Sequence, residues 1–141
     1  MAVVKYLTVT PLGVIAECAT DSDDADVLSR ALQREVAGCV DEFQLSPGLV
    51  MVHREWEGKP EPDQYNAYAT SAAMELARLR QVLYVFAGTV LFIGRDRAEW
   101  TSIADADASR VRELVAAVTP AAKERVVARA RANKLEVTGQ E

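Results

Sequence analysis

The sequence predicts an α+β fold, with an antiparallel or mixed sheet of about five strands packed by helices and followed by a C-terminal helical pair. Three observations support this class. Two hairpin patterns, each with a proline and a glycine at its turn, flank an acidic helix pattern. An asparagine-led helix pattern then precedes a long apolar run of β-forming residues. Two further helix patterns close the chain.

The N-terminal residues predict the first hairpin. Residues 3–9 are β-branched and aromatic, a composition that strands favour. Residues 10–13 read TPLG, with proline second and glycine fourth, which suits a type I turn. Residues 14–18 therefore return as the second strand.

An acidic segment predicts the start of the first helix. Carboxylates in a first helical turn cap free N–H groups and oppose the positive end of the helix dipole. Apolar residues then recur at helical spacing as far as Val36, and Gly38 is expected to end the helix in the left-handed conformation. The segment lacks the glycine and the terminal glutamate that a calcium-binding EF-hand loop needs at fixed offsets, so capping explains it better.

Residues 39–53 predict a second hairpin. Residues 39–45 partly alternate between apolar and polar, as in a strand with one solvated face. Residues 46–48 read SPG and suit a type II turn, in which Gly48 takes a positive φ. Residues 49–53 form the return strand. Residues 55–63 combine glycine, two prolines and many charges, and predict an exposed loop.

The middle of the chain predicts a helix followed by a buried strand. Asn66 begins an alanine-rich stretch and is expected to cap its helix. Residues 82–93 follow as a buried β segment. Gly88 in its middle predicts a bulge, a bend or a place where another backbone passes closely.

The C-terminal third predicts the helical pair. Asp105 or Asp107 is expected to cap its first helix, and Thr119 with Pro120 suits the start of the second. That helix is predicted to end near Asn133. The predicted organisation is a sheet domain over residues 1–104, a helical pair over 105–134 packed on it, and a frayed tail over 135–141.

Length and composition indicate one globular domain. The chain has 141 residues, half of them hydrophobic, and a net charge of −5. A chain of this length buries a core without disulfides, and its charge argues against binding membranes or nucleic acid through the whole surface. Residues 1–63 carry 12 acids and 5 bases, whereas residues 64–141 carry 9 acids and 11 bases. An acidic face and a mildly basic C-terminal part are therefore expected.

The two cysteines, Cys18 and Cys39, are expected to be free, buried thiols in a reducing compartment. A bridge between them stays open as an alternative if their strands are neighbours. The N-terminus shows no signal-peptide pattern, and no apolar run is long enough for a transmembrane helix. A cytoplasmic location without a membrane partner is expected.

The sequence offers little for catalysis. His53 is the single histidine, and a zinc site formed with Cys39 lacks paired-ligand spacing. Acid–base chemistry would pair His53 with Glu55, Glu57 or Asp63, although a charged surface loop explains those residues better. No nucleophile elbow, phosphate-binding glycine loop or dinucleotide motif occurs. No catalytic residue, metal or cofactor is therefore predicted.

Two surfaces are candidates for binding. Aromatic residues beside polar segments often anchor partner proteins, although these aromatics also suit covering the open edge of the sheet. With the aspartates they give the candidate protein-binding residues, which are Asp21, Asp23, Asp24, Asp26, Trp56, Tyr65, Tyr68 and Trp100. The alternative is a phosphate-contacting stripe on the last helix, which a solvated or oligomer-facing helix explains as well. Its residues are Lys123, Arg125, Arg129 and Arg131.

Several segments together resemble a known family. Residues 32–38 (LQREVAG) before a strand pattern, residues 49–52 (LVMV), Asn66 followed by Ala69 and Thr70, and residues 88–94 (GTVLFIG) occur in one order. This order resembles the family labelled domain of unknown function 3846, over about residues 4–100. The resemblance implies a phage, plasmid or mobile-element origin and an accessory role, without an established activity, cofactor or catalytic residue. The last two helices lie outside it and suit dimerisation.

Three functions follow as hypotheses. The first is a non-enzymatic accessory protein that binds a host protein through an acidic face imitating DNA phosphates. That face would comprise the aspartates and the loop over residues 55–65. The second is a nucleic-acid-binding protein that uses the last helix. The third is a small hydrolase that uses His53.

Overall fold

The computed structural model describes residues 3–21, 24–56, 58–80 and 84–140, the last eight by their backbone. The strands are β1 Val4–Val9, β2 Ile15–Thr20, β3 Val40–Ser46, β4 Leu49–Arg54, β5 Val90–Asp96 and β6 Glu99–Thr101. The helices are α1 Ala25–Val36, α2 Ala67–Leu76, α3 Asp105–Ala116 and α4 Pro120–Gln140, and a 3₁₀ turn spans Pro62–Gln64.

A single antiparallel sheet forms the centre of the fold. Its strands lie in the order β2-β1-β5-β4-β3, and β6 pairs with the end of β5. The predicted α+β class is confirmed, and the sheet is antiparallel rather than mixed. The sixth strand was missed because it has three residues and because Arg97, at φ 59°, turns the chain without a glycine.

Helices cover both faces of this sheet. On one face, Leu28 and Leu32 of α1 pack with Val50 of β4 and Leu91 of β5. On the other face, α2 packs with the strand residues that point the opposite way, including Met51 and Phe92. The pleat explains this division, since successive side chains of a strand point to opposite faces. The predicted pair of C-terminal helices is confirmed, and both of them, α3 and α4, pack against α2.

The first hairpin and the first helix follow their predicted patterns, with one correction. Gly13 takes φ 83° in the turn between β1 and β2, and the Asp24 carboxylate caps α1. The left-handed residue that ends α1 is Ala37, at φ 61°, and not Gly38. The absence of a side chain at Gly38 leaves room for the Arg54 side chain, which a Cβ there would meet at 2.9 Å.

The second hairpin forms, but its turn differs from the prediction. Ser46 pairs with Leu49, so Pro47 and Gly48 make a two-residue connection beside a bulge in β3. Gly48 does not take a positive φ, so the predicted type II turn is wrong. The bulge changes the register at this end of β3, which the residue pattern of the turn alone does not reveal.

The long apolar run begins its strand later than predicted, at Val90. Before it, Ala87 makes a single bridge to Tyr65, and Gly88 bends the chain at φ 75°. Another backbone passes closely at Gly88, as expected, because its N–H donates a hydrogen bond to the Gln64 carbonyl oxygen at 2.7 Å, and the indole ring of Trp56 lies against the position of a Cβ. Residues 82 and 83 of the predicted strand lie outside the described residues.

The C-terminal pair differs from its prediction at two ends. Ala104 occupies the cap position of α3 without a side-chain bond, whereas Asp105 lies in the first turn, so neither predicted aspartate is the cap. Thr119 does cap α4, since its Oγ1 accepts a hydrogen bond from the Ala122 N–H at 3.1 Å. The backbone of α4 continues as helix past Asn133 to Gln140, through most of the predicted tail.

The two cysteines lie at opposite edges of the sheet. Cys18 is on the edge strand β2, and Cys39 directly precedes the other edge strand, β3. Both are free, so the alternative of a bridge is wrong. Cys39 is exposed, which corrects the expectation of two buried thiols. Across the described ranges, no helix combines the length and the apolar character that crossing a membrane requires.

Candidate functional site

The predicted acidic residues lie at the start of α1. Asp21, Asp24 and Asp26 are exposed, and Asp23 lies outside the described residues. The Asp24 carboxylate accepts hydrogen bonds from the N–H groups of Asp26 (2.9 Å) and Val27 (3.3 Å). Asp24 therefore has a structural role, whereas the exposed carboxylates of Asp21 and Asp26 are available to a partner.

The four candidate aromatic residues are all half-buried, and they do not form one exposed surface. Trp100 packs with the core on the α1 side of the sheet, and the Arg95 guanidinium lies 3.9 Å from its ring centroid. Tyr68 packs with the core on the opposite side. These two residues are separated by the sheet.

Each remaining aromatic residue also has an identified neighbour. The Tyr68 ring covers Gly13, and Lys123 Nζ lies 4.6 Å from its centroid. Trp56 lies between Arg54, whose guanidinium carbon is 4.2 Å from the ring centroid, and Gly88. Tyr65 forms the bridge to Ala87 described above. These contacts support the explanation that the aromatics cover the sheet and its connections.

The predicted basic stripe of α4 divides between different sides of the helix. Lys123 is held over Tyr68, and Arg131 is exposed. Arg125 and Arg129 are four residues apart, share one helix face and line a groove together. Only half of the predicted stripe therefore meets at one site.

That groove is the concave site in which the structure assembles charged residues. It lies between the end of α2 and the α3–α4 segment and has a volume of about 730 Å³. Leu79, Leu114 and Val118 contribute apolar lining, and alanines of α4 leave space opposite them. Arg80 brings a third guanidinium, and Glu75 brings a carboxylate.

The charge of the groove is positive and unneutralised within the described part of the chain. None of the three arginines is within ion-pair distance of a carboxylate there. Arg129 is half-buried, and its Nε–H is covered from solvent without a hydrogen-bond acceptor among the residues described. Arg80 and Arg125 are exposed at the same groove, and guanidiniums bind carboxylate and phosphate oxygens well, so the groove favours an anion.

Sequence reasoning missed Arg80 as a member of this site. It lies 45 positions before Arg125, beyond the end of α2, and only the packing of α2 against α4 brings them to one groove. No local pattern marks such a pairing, because it depends on tertiary contacts between separate helices.

His53 packs against a neighbouring aromatic ring and does not line the groove. Its ring lies 4.7 Å from the Phe86 ring, and Nδ1 is 3.3 Å from the carbonyl oxygen of its neighbour Arg54. Burial lowers the pKa of His53, against smaller opposing effects of that carbonyl and of Asp41. A search of the described ranges finds no cluster of three His, Cys, Asp or Glu residues able to hold a metal ion.

Asn66, the predicted cap of α2, is fully buried, and both its side-chain oxygen and its side-chain nitrogen are hydrogen-bonded. Its Oδ1 accepts a hydrogen bond from the Ala69 N–H at 2.9 Å, and so caps α2 as predicted. Its Nδ2 donates to the carbonyl oxygens of Val9 and Gly88, each at 2.9 Å. One amide thereby connects α2, β1 and the bend before β5.

Comparison with known proteins gives no match to a family model, to a curated protein or to a solved structure.

Proposed function

We propose that this protein is a non-enzymatic accessory protein of a phage or mobile element, and that it binds a host protein through its acidic side. One observation supports the binding mode, namely the exposed carboxylates of Asp21 and Asp26 beside the start of α1. The acid-rich residues 1–63 supply α1 and both edge strands. Residues 64–141 supply α2, α3 and α4, and the basic excess among these helices lies on α4, since α2 has one acid and no base and α3 has three acids and two bases. The proposed origin rests on the family resemblance alone.

The acidic side has a definite centre at the start of α1. Asp21 and Asp26 carry exposed carboxylates there, three residues before and two residues after the capping residue Asp24. Exposed acids raise the rate at which a basic partner associates, and the gain falls as salt screens them. The proposed partner is therefore a host protein with a basic surface, such as one that binds DNA.

The surroundings of His53 favour binding over hydrolysis. A general acid or base needs to reach a substrate, whereas the His53 ring packs against Phe86 and carries a pKa lowered by burial. The groove, where a small molecule has room, contains arginines and one carboxylate but not this histidine.

Nucleic-acid binding through α4 is the second candidate. It is supported by Arg125 and Arg129, which present unpaired guanidiniums on one helix face. The division of the basic stripe argues against this candidate. Several aligned cations contact a phosphate backbone best, whereas Lys123 lies over Tyr68.

Affinity purification from host extract, in parallel samples with and without nuclease treatment, tests the proposal. The variant Asp21→Asn/Asp26→Asn removes acidic charge and keeps the Asp24 cap, and the matched control Arg125→Gln/Arg129→Gln removes charge from the other side. We expect a basic host protein that is retained by the wild type and the control, is lost with the aspartate variant, and dissociates in high salt. Equal recovery by all three proteins would contradict the proposal. Recovery of nucleic acid that fails only with the arginine variant would favour the second candidate.

A further inference from the structure

We propose that the groove between α2 and the α3–α4 segment binds a small amphipathic anion, a carboxylate or phosphate monoester that carries an apolar group. This site is separate from the acidic side and does not rest on the function proposed above. Its occupant is inferred from the charge, the lining and the size of the groove.

The charge of the lining selects an anion. Among the lining residues that the structure describes, Arg80, Arg125 and Arg129 bring three positive charges and Glu75 brings one negative charge, which gives a net charge of +2. The planar guanidinium matches carboxylate and phosphate oxygens in a bidentate manner. Arg129 adds an independent indication, because its covered Nε–H has no acceptor in the described residues. An anion beside that guanidinium would supply the missing counter-charge.

The apolar lining selects a ligand with a hydrophobic portion. Leu79, Leu114 and Val118 lie in the same groove as the arginines, with the small side chains of α4 facing them. Inorganic phosphate would leave these surfaces wet, whereas an alkyl group would cover them and gain about 25 cal/mol for each Å² removed from water.

The size of the groove favours a small molecule over a macromolecule. Its volume of about 730 Å³ is typical of small-molecule sites, which are mostly apolar and carry a few polar groups that fix orientation. Within the described part of the lining, no aromatic side chain is present on which a nucleic-acid base would stack.

Titration calorimetry with defined probes tests the site. The probes are octyl phosphate and octanoate below their micelle concentrations, inorganic phosphate without the chain, 1-octanol without the charge, and a short single-stranded DNA. We expect one or both amphipathic anions to bind more tightly than phosphate and octanol. Whichever of the two binds better identifies the head group.

Matched variants locate the binding. Arg129→Gln and Arg125→Gln are each expected to weaken binding of the amphipathic anion by about tenfold. Arg131→Gln removes the same charge from the exposed side of α4 and is expected to change nothing. Ala128→Trp fills the groove without changing its charge and is expected to abolish binding. Circular dichroism and thermal melting check that each variant folds.

Three results would overturn the proposal. The first is that the amphipathic anions bind no better than phosphate and octanol. The second is that Arg131→Gln weakens their binding as much as Arg129→Gln does. The third is that only the DNA binds and that the groove variants lower its affinity. The last result would assign the groove to the nucleic-acid function instead.

Discussion

Asn66 shows how much of the fold can depend on a single buried amide. Its three side-chain hydrogen bonds join a helix start, a strand carbonyl and the carbonyl of a bent glycine, and its backbone N–H donates to Phe86. Removing the amide would leave buried donors and acceptors without partners, and each such group costs free energy.

Asn66→Ala is expected to lower the free energy of unfolding by about 3 kcal/mol, from loss of the cap and of two buried donors. Asn66→Asp keeps the capping oxygen and loses both Nδ2 donors, so it is also expected to destabilise. Urea denaturation measures both variants. A loss below about 1 kcal/mol for Asn66→Ala would contradict this account of the amide.

His53 gives the protein a pH dependence of defined sign. Burial lowers its folded pKa below the ordinary value of 6.5, so the unfolded chain binds more protons at this residue. Stability linked to His53 is therefore fully present above pH 6.5 and is lost as the pH falls below it, towards the folded pKa.

His53→Phe keeps an aromatic ring on Phe86 and removes the titration. Between pH values of about 7.5 and about 5.5, the urea midpoint of the wild type is expected to fall more than that of the variant, while shared carboxylate effects cancel. Equal falls in the two proteins would show that His53 is not responsible.

At the scale of elements, Gly94 is required where β6 folds back on β5. A Cβ at Gly94 would overlap the carbonyl oxygen of Ser102 and lie 2.6 Å from Thr101 Oγ1. The glycine therefore allows the close approach of these two segments and needs no unusual φ.

Gly94→Ala is expected to destabilise the protein by about 2 kcal/mol or more, because rigid backbone has to move. Gly58→Ala is the matched control, since a Cβ there meets no atom within 4 Å, and its effect is expected within about 0.5 kcal/mol. Thermal and urea unfolding compare the two variants. A neutral Gly94→Ala would mean that the hairpin tolerates a shift at this point.

The elements predicted best are those whose sequence signals involve residues close together in the chain. Asp24, Asn66 and Thr119 cap their helices as their positions indicate, because a capping bond spans only two or three residues. Ala37 and Arg97 adopt left-handed conformations that no glycine marks, so the end of α1 and the β5–β6 turn were placed incorrectly or missed. At Ala37 the left-handed conformation accompanies hydrogen bonds from the N–H groups of Ala37 and Gly38 to the Arg34 and Gln33 carbonyl oxygens, which involve backbone atoms alone.

At the scale of the whole molecule, the sheet order separates the cysteines. Four strand spacings of about 4.8 Å place β2 and β3 about 19 Å apart. A disulfide needs Cα atoms within about 7 Å, so oxidation within one chain cannot join them without unfolding.

The two thiols are expected to differ in reactivity. Cys39 is exposed, whereas Cys18 is half-buried and its pKa is raised by burial and by Glu35. Alkylation followed by mass spectrometry is expected to modify Cys39 first, and Cys39→Ser should leave only the slow reaction. Equal rates at the two positions would contradict the described exposure of the sheet edges.

The candidate sites also show what the sequence could predict at this scale. Residue type alone indicated the exposed acids, because Asp at a helix start is seldom covered. The groove could not be predicted, since Arg80, Leu114 and Arg129 come from separate segments that meet only when α2 packs on the C-terminal pair. Helical spacing itself puts Lys123 on a different face of α4 from Arg125 and Arg129, and there it lies over the Tyr68 ring.

The position of β5 has a consequence for synthesis of the chain. The two hairpins β1–β2 and β3–β4 are complete by residue 54, yet they share no strand pairing until β5, near residue 96, lies between them. A nascent chain on the ribosome therefore carries two separate hairpins with unpaired edge strands. At that stage α1 lacks the part of its hydrophobic packing surface that β5 provides. We expect stalled nascent chains to resist protease only once Asp96 has emerged from the exit tunnel.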